Sequence, residues 1–429
     1  MRIYIETYGC RMNICDSEVI LSILSKDGHT YCADIYRSDV IILNCCSVRE
    51  VGHEKTFERL AEIAKSGLED KMIVVAGCLA TQLDKTIFDK FPHADIVAGP
   101  DTYRKLPTFI RAGKGLHVIL GNDDPKEMYE DIIPKRYLED STTAAITIMK
   151  GCNQFCSYCI EPYTRGRELS RDVESILSEC KRVETAGYKE LTFVGHIIDR
   201  YRYGFAELLD RAATLCPGLR IKYLSSHPLT YTDETLDVVR RHENIMRVVH
   251  LPVQSGSDKI LKRMNRGYTI DQYKRRYSSI KESMPDMRIV TDIMVGFCGE
   301  TDEDFRQTAD LVRELEFDDI NVFCFSLRQG TAAEKKYKDD VPEDIKNSRK
   351  QAILSLRDEI KQKKHTGLIG KEVSVINEGR WYNDQAYSFG RDKYLNIYIF
   401  KSDNDIPVNE EVRLIVQSAA PDYLIGTSI

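Results

Sequence analysis

The chain has 429 residues, 42% of them hydrophobic and 30% charged, which excludes a disordered protein and, at this length, a single ordinary core. Two or three domains are expected. The formal charge of −6 excludes a globally basic nucleic-acid binder, so any RNA contact must be local.

Met1-Arg-Ile-Tyr-Ile-Glu-Thr-Tyr8 alternates like a strand and lacks the apolar core of a signal peptide. No apolar run approaches the ~18 residues that cross a bilayer, so a cytoplasmic protein with no membrane partner is expected. The first ~100 residues read as strand–loop–helix units with buried strands at Ile3–Thr7, Asp39–Leu43 and Met72–Ala76. Crossover units of ~30 residues make a parallel sheet. Residues near 100–140, with Gly121-Asn-Asp-Asp-Pro125, read as a linker holding one short helix. Six further strands follow: Ala144–Met149, Glu190–Val194, Arg220–Leu224, Arg247–Leu251, Arg288–Met294 and Asn321–Phe325. Helical patterns at Asp172–Ala186, Phe205–Leu215 and Glu303–Leu315 intervene, which predicts a partial parallel barrel, since eight units make a full one. A charged helix over 343–365 leads to a tail, 367–429, whose short alternating stretches predict a small all-β module. The predicted fold class is α/β: an N-terminal parallel α/β domain (1–140), a partial (βα)6 TIM-like barrel (141–366) and a small C-terminal β-barrel (367–429).

Thirteen cysteines are many for a reducing compartment, where clustered thiols hold metal or do catalysis. Gly151-Cys-Asn-Gln-Phe-Cys-Ser-Tyr-Cys159 places Cys152, Cys156 and Cys159 on one tight loop after a predicted strand. Three soft thiolates so placed can hold three irons of a 4Fe–4S cluster and leave the fourth to a small molecule. The alternative is a zinc site that borrows a distant fourth cysteine. Cys10, Cys46 and Cys78 each follow a predicted strand within a few residues. Strand ends of a parallel sheet converge on one edge, so these thiols can ligate a second cluster there. Alternatively they are small buried residues, as free cysteine often is. Cys45, next to Cys46, leaves open which of the two is the ligand. Cys15, Cys32, Cys180, Cys216 and Cys324 read as structural.

The cysteine loop, the strand before it and the barrel after it resemble the radical S-adenosylmethionine superfamily. That resemblance implies an open iron chelating the amino and carboxylate groups of S-adenosylmethionine, and an electron that breaks the sulfonium bond to give a 5′-deoxyadenosyl radical. Thr7-Tyr-Gly-Cys-Arg-Met-Asn13, Leu43-Asn-Cys-Cys-Ser-Val-Arg-Glu50 and Ala76-Gly-Cys-Leu-Ala80 resemble the N-terminal domain of the methylthiotransferases. The run Gly151–Glu168 is similar to the MiaB branch, as are Ser225–Pro228, His250–Ser257, Met264–Thr269 and Thr291–Phe297. The tail is similar to that family's TRAM module.

The resemblance implies two 4Fe–4S clusters and S-adenosylmethionine, with an auxiliary cluster on Cys10, Cys46 and Cys78 that carries the sulfur to be inserted. It implies methylthiolation at carbon 2 of an N6-isopentenyladenosine at position 37 of tRNA. Neither acid–base nor nucleophilic catalysis replaces that C–H, so both clusters must share one space. Implied partners are a tRNA anticodon stem-loop and an electron donor such as a flavodoxin or ferredoxin, with the enzyme a monomer. Tyr158 resembles the aromatic residue that touches the cofactor's adenine, with a packed loop aromatic as the alternative. Gly195, Ser226 and Gln254, at predicted strand ends, bind the cofactor or else satisfy local backbone. Arg165 and Arg167, near Arg171, are expected to bind tRNA. The basic stretch 346–364 is a candidate for phosphate contacts, whereas the tail, with six Lys and Arg against nine Asp and Glu, is awkward for RNA. Its aromatics, Trp381, Tyr382, Tyr387, Phe389 and Tyr394, can stack on bases or fill a core.

Several positions depart from the family pattern. Gly195-His196-Ile197 stands for the usual Gly-Gln-Asn, Cys45 for threonine, Cys298 for proline, and Leu327 and Gln329 for prolines. Two rival functions remain: a sister methylthiotransferase acting on threonylcarbamoyl-adenosine or a ribosomal-protein aspartate, and a non-catalytic iron–sulfur RNA sensor.

Overall fold

The computed structural model describes residues 1–47, 50–68, 70–121, 127–137, 142–401 and 406–429, with backbone alone at 50–53. Val48 and Arg49 beside Cys46, the 122–125 stretch and the expected boundary at 140/141 lie outside the described residues.

Uninterrupted apolar runs place two strands at the centre of the N-terminal sheet. Strands β1 (Arg2–Tyr8), β2 (Thr30–Tyr31), β3 (Val40–Cys45), β4 (Met72–Ala76), β5 (Ile96–Ala98) and β6 (His117–Ile119) pair in the order β2-β1-β3-β4-β5-β6, all parallel. Every residue of β3 and β4 is buried, as strands covered on both faces require. The expected linker is corrected in part. Leu106–Ala112 is its short helix, but β6 adds an edge strand where a loop was expected. Three residues are too few to show a period.

Strands β7 (Thr143–Thr147), β8 (Met149–Lys150) and β9 (Leu169–Ser170) frame the cysteine loop, with β8 and β9 paired antiparallel. The partial barrel continues through β10 (Glu190–Val194), β11 (Arg220–Tyr223), β12 (Val248–His250), β13 (Arg288–Val295) and β14 (Asp319–Cys324). Its six parallel strands form two sheets, β7-β10-β11 and β12-β13-β14, joined by a parallel bridge from Ile221 to Ile245. One apolar core under the flanking helices fills it, with Phe193, Tyr223, Tyr273 and Phe317 fully buried.

The helix Glu343–Thr366 leads into a closed barrel of β15 (Glu372–Trp381), β16 (Asp384–Arg391), β17 (Ile397–Lys401), β18 (Glu411–Ala419) and β19 (Leu424–Ser428). This small barrel docks beneath the partial barrel, at the starts of its strands. Arg220 donates to the Arg391 carbonyl at 3.1 Å, the Arg247 N–H to the Lys393 carbonyl at 3.1 Å, and Arg288 to the Tyr394 carbonyl at 2.6 Å. The expectation that 346–364 contacts phosphates is corrected. Lys346 pairs with Asp339, Arg349 with Glu300 and Asp302, Arg357 with Asp358, Lys361 with Asp319 and Asp422, Lys363 with Glu316, and Lys364 with Asp318. Most of these pairs tie the helix to the barrel, and Lys361 adds a link to the tail through Asp422.

Candidate active site

The cysteine loop leaves the end of β8 through Gly151, whose φ of +72° is left-handed and whose absent Cβ would stand 2.0 Å from the Arg167 carbonyl. Gly151→Ala is therefore expected to cost more than about 2 kcal/mol, about 1–2 of it from the left-handed backbone and the rest from the clash with the Arg167 carbonyl. Urea unfolding would measure that loss, and iron uptake at the loop should fall with it. The loop is then tied to the segment after Arg263. The Ser157 N–H donates to the Met264 carbonyl at 2.9 Å, Ser157 Oγ to the Arg263 carbonyl at 2.8 Å, and Asn265 Nδ2 to the Phe155 carbonyl at 3.0 Å. Cys152 and Cys156 are buried and Cys159 half-buried. The Gln154 N–H donates to Cys152 Sγ at 3.4 Å and Arg266 Nη1 to Cys156 Sγ at 3.3 Å. Arg266 is itself buried, and its other partners are the Pro252 carbonyl and the Tyr268 hydroxyl, neither of them a carboxylate.

Cys10, Cys46 and Cys78 stand just past β1, β3 and β4, at the C-terminal edge of the sheet. Cys10 caps the helix Arg11–Lys26 with Asn13, and Cys78 opens the helix Cys78–Leu83. A hydrogen bond from the Cys46 thiol, with the charge of Arg165 nearby, pulls Cys10 down to about 6. Cys46 is pushed up by that same bond and by burial. Cys45 is fully buried and turned to the core beside Leu43 and Leu60, its thiol pushed up to about 12 by burial. Of the two neighbours, Cys46 is the one that meets Cys10.

Arg165, six residues past Cys159, reaches the sheet trio. It is 3% exposed; its Nε donates to Cys78 Sγ at 3.0 Å, while Nη1 and Nη2 grip Asp16 at 3.1 and 2.6 Å. The expectation that Arg165 binds tRNA is corrected, because its guanidinium is buried and spent on Asp16 and Cys78. Arg171 is likewise buried against Glu179 at 2.7 Å. Arg167 remains exposed, its guanidinium 4.4 Å from the centre of the Phe155 ring. Arg165, Arg171, Asp16 and Glu179 line a cavity of about 50 Å³ between sheet and barrel, space for one or two waters. None of the six thiols lines it.

Glu161, two residues past Cys159, lies where both trios feel its charge. Burial opposes its ionisation, but His196 at 2.8 Å and Arg165 hold it below the usual carboxylate range. The Nδ1 of His196 is buried without a hydrogen-bond partner among the described residues. Sequence reasoning marked His196 as a departure and left Glu161 and Arg266 unremarked, although both lie in quoted motifs.

The expected cofactor contacts fall around the same mouth. Tyr158 packs beside Met264 and Phe297 and near the charge of Arg266. Gly195 ends β10, where a Cβ would stand 2.7 Å from Met149 Cγ. Gln254 holds a left-handed φ of +70° between β12 and β13. The Ser226 hydroxyl donates to Asp199 at 3.0 Å, and the His227 N–H to the same carboxylate at 2.7 Å. Burial pushes Asp199 up to about 7 from its ordinary 3.8. Its folded value exceeds its unfolded one, so the native state binds the extra proton between about pH 4 and 7, and stability falls as pH rises through that window. A urea midpoint lower at pH 7.5 than at pH 5 is expected for the natural chain, and a flatter profile for Asp199→Asn.

Both donor sets fit iron–sulfur clusters on their own chemistry. Each offers thiols alone, served by N–H donors to sulfur, and burial pushes the Cys78, Cys152 and Cys159 thiols up until a cation is at hand. Among the described residues no group of three His, Cys, Asp or Glu side chains is arranged for a single metal ion.

A three-thiol loop at the C-terminal mouth of a parallel partial barrel defines a radical S-adenosylmethionine enzyme. The Radical SAM superfamily profile matches residues 146–312, and that of an uncharacterized family, UPF0004, matches residues 2–99. The chain is 39% identical to the tRNA-2-methylthio-N(6)-dimethylallyladenosine synthase of Azobacteroides pseudotrichonymphae, over 99% of this chain and 96% of that one. It is 37% identical to the protein of that name from Parabacteroides distasonis, over 100% and 95%. The chain belongs to the family of tRNA-2-methylthio-N(6)-dimethylallyladenosine synthases, which are radical S-adenosylmethionine methylthiotransferases. Among solved structures, the radical S-adenosylmethionine methyltransferase TsrM of Kitasatospora setae matches with a TM-score of 0.58 at 15% identity, over 77% of this chain and 76% of that one. This likeness is one of fold.

Proposed function

We propose that this chain methylthiolates carbon 2 of N6-isopentenyladenosine at position 37 of tRNA, with one 4Fe–4S cluster on Cys152, Cys156 and Cys159 and a second on Cys10, Cys46 and Cys78. The observation that carries the reading is the contact of Arg165, on the loop side, with Cys78, on the sheet side. It sets a residue that closely follows the loop trio in the chain directly against a thiol of the sheet trio. When bound, the clusters and S-adenosylmethionine supply radical chemistry and sulfur. The chain's own residues do the rest. Gly151 and Asn265 fix the loop, Arg266 and Arg165 give N–H bonds to one sulfur of each trio, and Tyr158, Gly195, Ser226 and Gln254 surround the cofactor. Residues 1–140 carry the auxiliary centre, 141–366 the radical chemistry, and 367–429 a TRAM-like grip on the anticodon stem-loop. The enzyme works in the cytoplasm as a monomer and takes electrons from a flavodoxin- or ferredoxin-class donor.

Mass spectrometry of tRNA nucleosides from cells lacking the gene tests the reading. The 2-methylthio-N6-isopentenyl nucleoside should vanish and N6-isopentenyladenosine accumulate. Loss of a methylthiolated threonylcarbamoyl nucleoside instead would reassign the substrate. A protein that releases no 5′-deoxyadenosine from S-adenosylmethionine under reductant would be the non-catalytic sensor.

A further inference from the structure

Beside the loop trio the surface carries an aromatic rim that neither the core nor the thiols require. Phe155 lies between two of the loop cysteines at φ +50°, a conformation that is an outlier for a bulky side chain. Asn265 holds its carbonyl there. Its ring meets the edge of Tyr163, 45% exposed, at 6.0 Å and the Arg167 guanidinium at 4.4 Å. The rim continues along the loop: Arg200 bonds Gln154 and Glu168 at 2.9 and 3.2 Å. Three residues further along the chain, Tyr203, 48% exposed, meets the edge of the Tyr201 ring at 5.7 Å and the guanidinium of its neighbour Arg202 at 5.8 Å. Left-handed strain persists where the surroundings impose it, often for function. Aromatic faces interleaved with arginines suit unpaired bases, because every base has a stacking face and the cations meet the phosphates.

Building on the proposed tRNA reading, we infer that Phe155 and Tyr163, with Arg167, form a platform for the unpaired nucleotides flanking the target adenosine. The partner is single-stranded loop RNA, held by stacking rather than by base-edge hydrogen bonds. Nucleotides splayed onto the rim would leave the target base free to turn toward the thiols.

The test uses the reconstituted full-length chain and a synthetic anticodon stem-loop carrying N6-isopentenyladenosine, with versions abasic at either flanking nucleotide. Tyr163→Ala should weaken binding roughly 5- to 100-fold, the range of one lost stack, while Tyr163→Trp restores it. At least one abasic loop should be penalised by the natural chain and hardly at all by Tyr163→Ala. Arg167→Gln should flatten the slope of log Kd against log salt by about one. Unchanged affinity in Tyr163→Ala, equal abasic penalties in both proteins, or lost iron in that variant would overturn the platform. Failure of the natural chain to bind the intact stem-loop would overturn the tRNA reading itself, a separable result.

Discussion

Cys156→Ala should leave about four irons per reconstituted chain instead of about eight, and no methylthiolated nucleoside above background. Cys156 is buried, and its sulfur is the one that Arg266 meets at 3.3 Å. Alanine removes the loop's central ligand and leaves a buried guanidinium whose remaining partners are a carbonyl and a phenol. A buried cation without an anion costs several kcal/mol, so the loop should loosen as well. The sheet trio is built on other strands and should still load, which makes iron content the discriminating measurement. A variant retaining about eight irons, or full product, would remove Cys156 from the ligand set.

Arg165→Met should destabilise the folded chain by about 3–5 kcal/mol, because Asp16 then stays largely buried with no partner. Arg165 is also the side chain that holds the cysteine loop's sequel against Cys78, so product formation should fall further than stability explains. Adding Asp16→Leu separates the two effects. The double variant should recover much of the stability, since apolar groups of similar volume replace a buried pair well. It should not recover the activity. Thermal unfolding and nucleoside yield, measured on both variants, check this. Recovery of activity together with stability would reduce Arg165 to a structural ion pair.

Candidate ligands could be picked out in the sequence because thiol chemistry is local: three cysteines in eight residues, or one cysteine just past each buried strand, need no tertiary knowledge. The strand Met72–Ala76 was legible to the residue because its apolar run is unbroken, and Glu190–Val194 because its Leu, Phe and Val are bounded by Gly187 and Gly195. Charge partnerships were not. Arg165 reads as a surface cation until Asp16, 149 positions earlier, is folded against it. The cations of 343–366 look free until Asp318, Asp319 and Glu300 come round the barrel. Strand β16, Asp384–Arg391, hid behind polar residues and a glycine. Rim aromatics were equally silent, since exposure is a property of packing and sequence carries no mark of it.

The small C-terminal barrel sits under the starts of the barrel strands, while the thiols lie past their ends. Strand β13, with eight residues, runs about 26 Å along its own axis, and the two regions lie at opposite ends of the wall it belongs to. A lone nucleoside reaches one of them. A stiff double helix lying along the outside reaches both, and its length then decides which base arrives at the top. If the small barrel holds the stem as proposed above, such an architecture would act as a ruler, selecting by where a base sits on its stem as much as by what the base is.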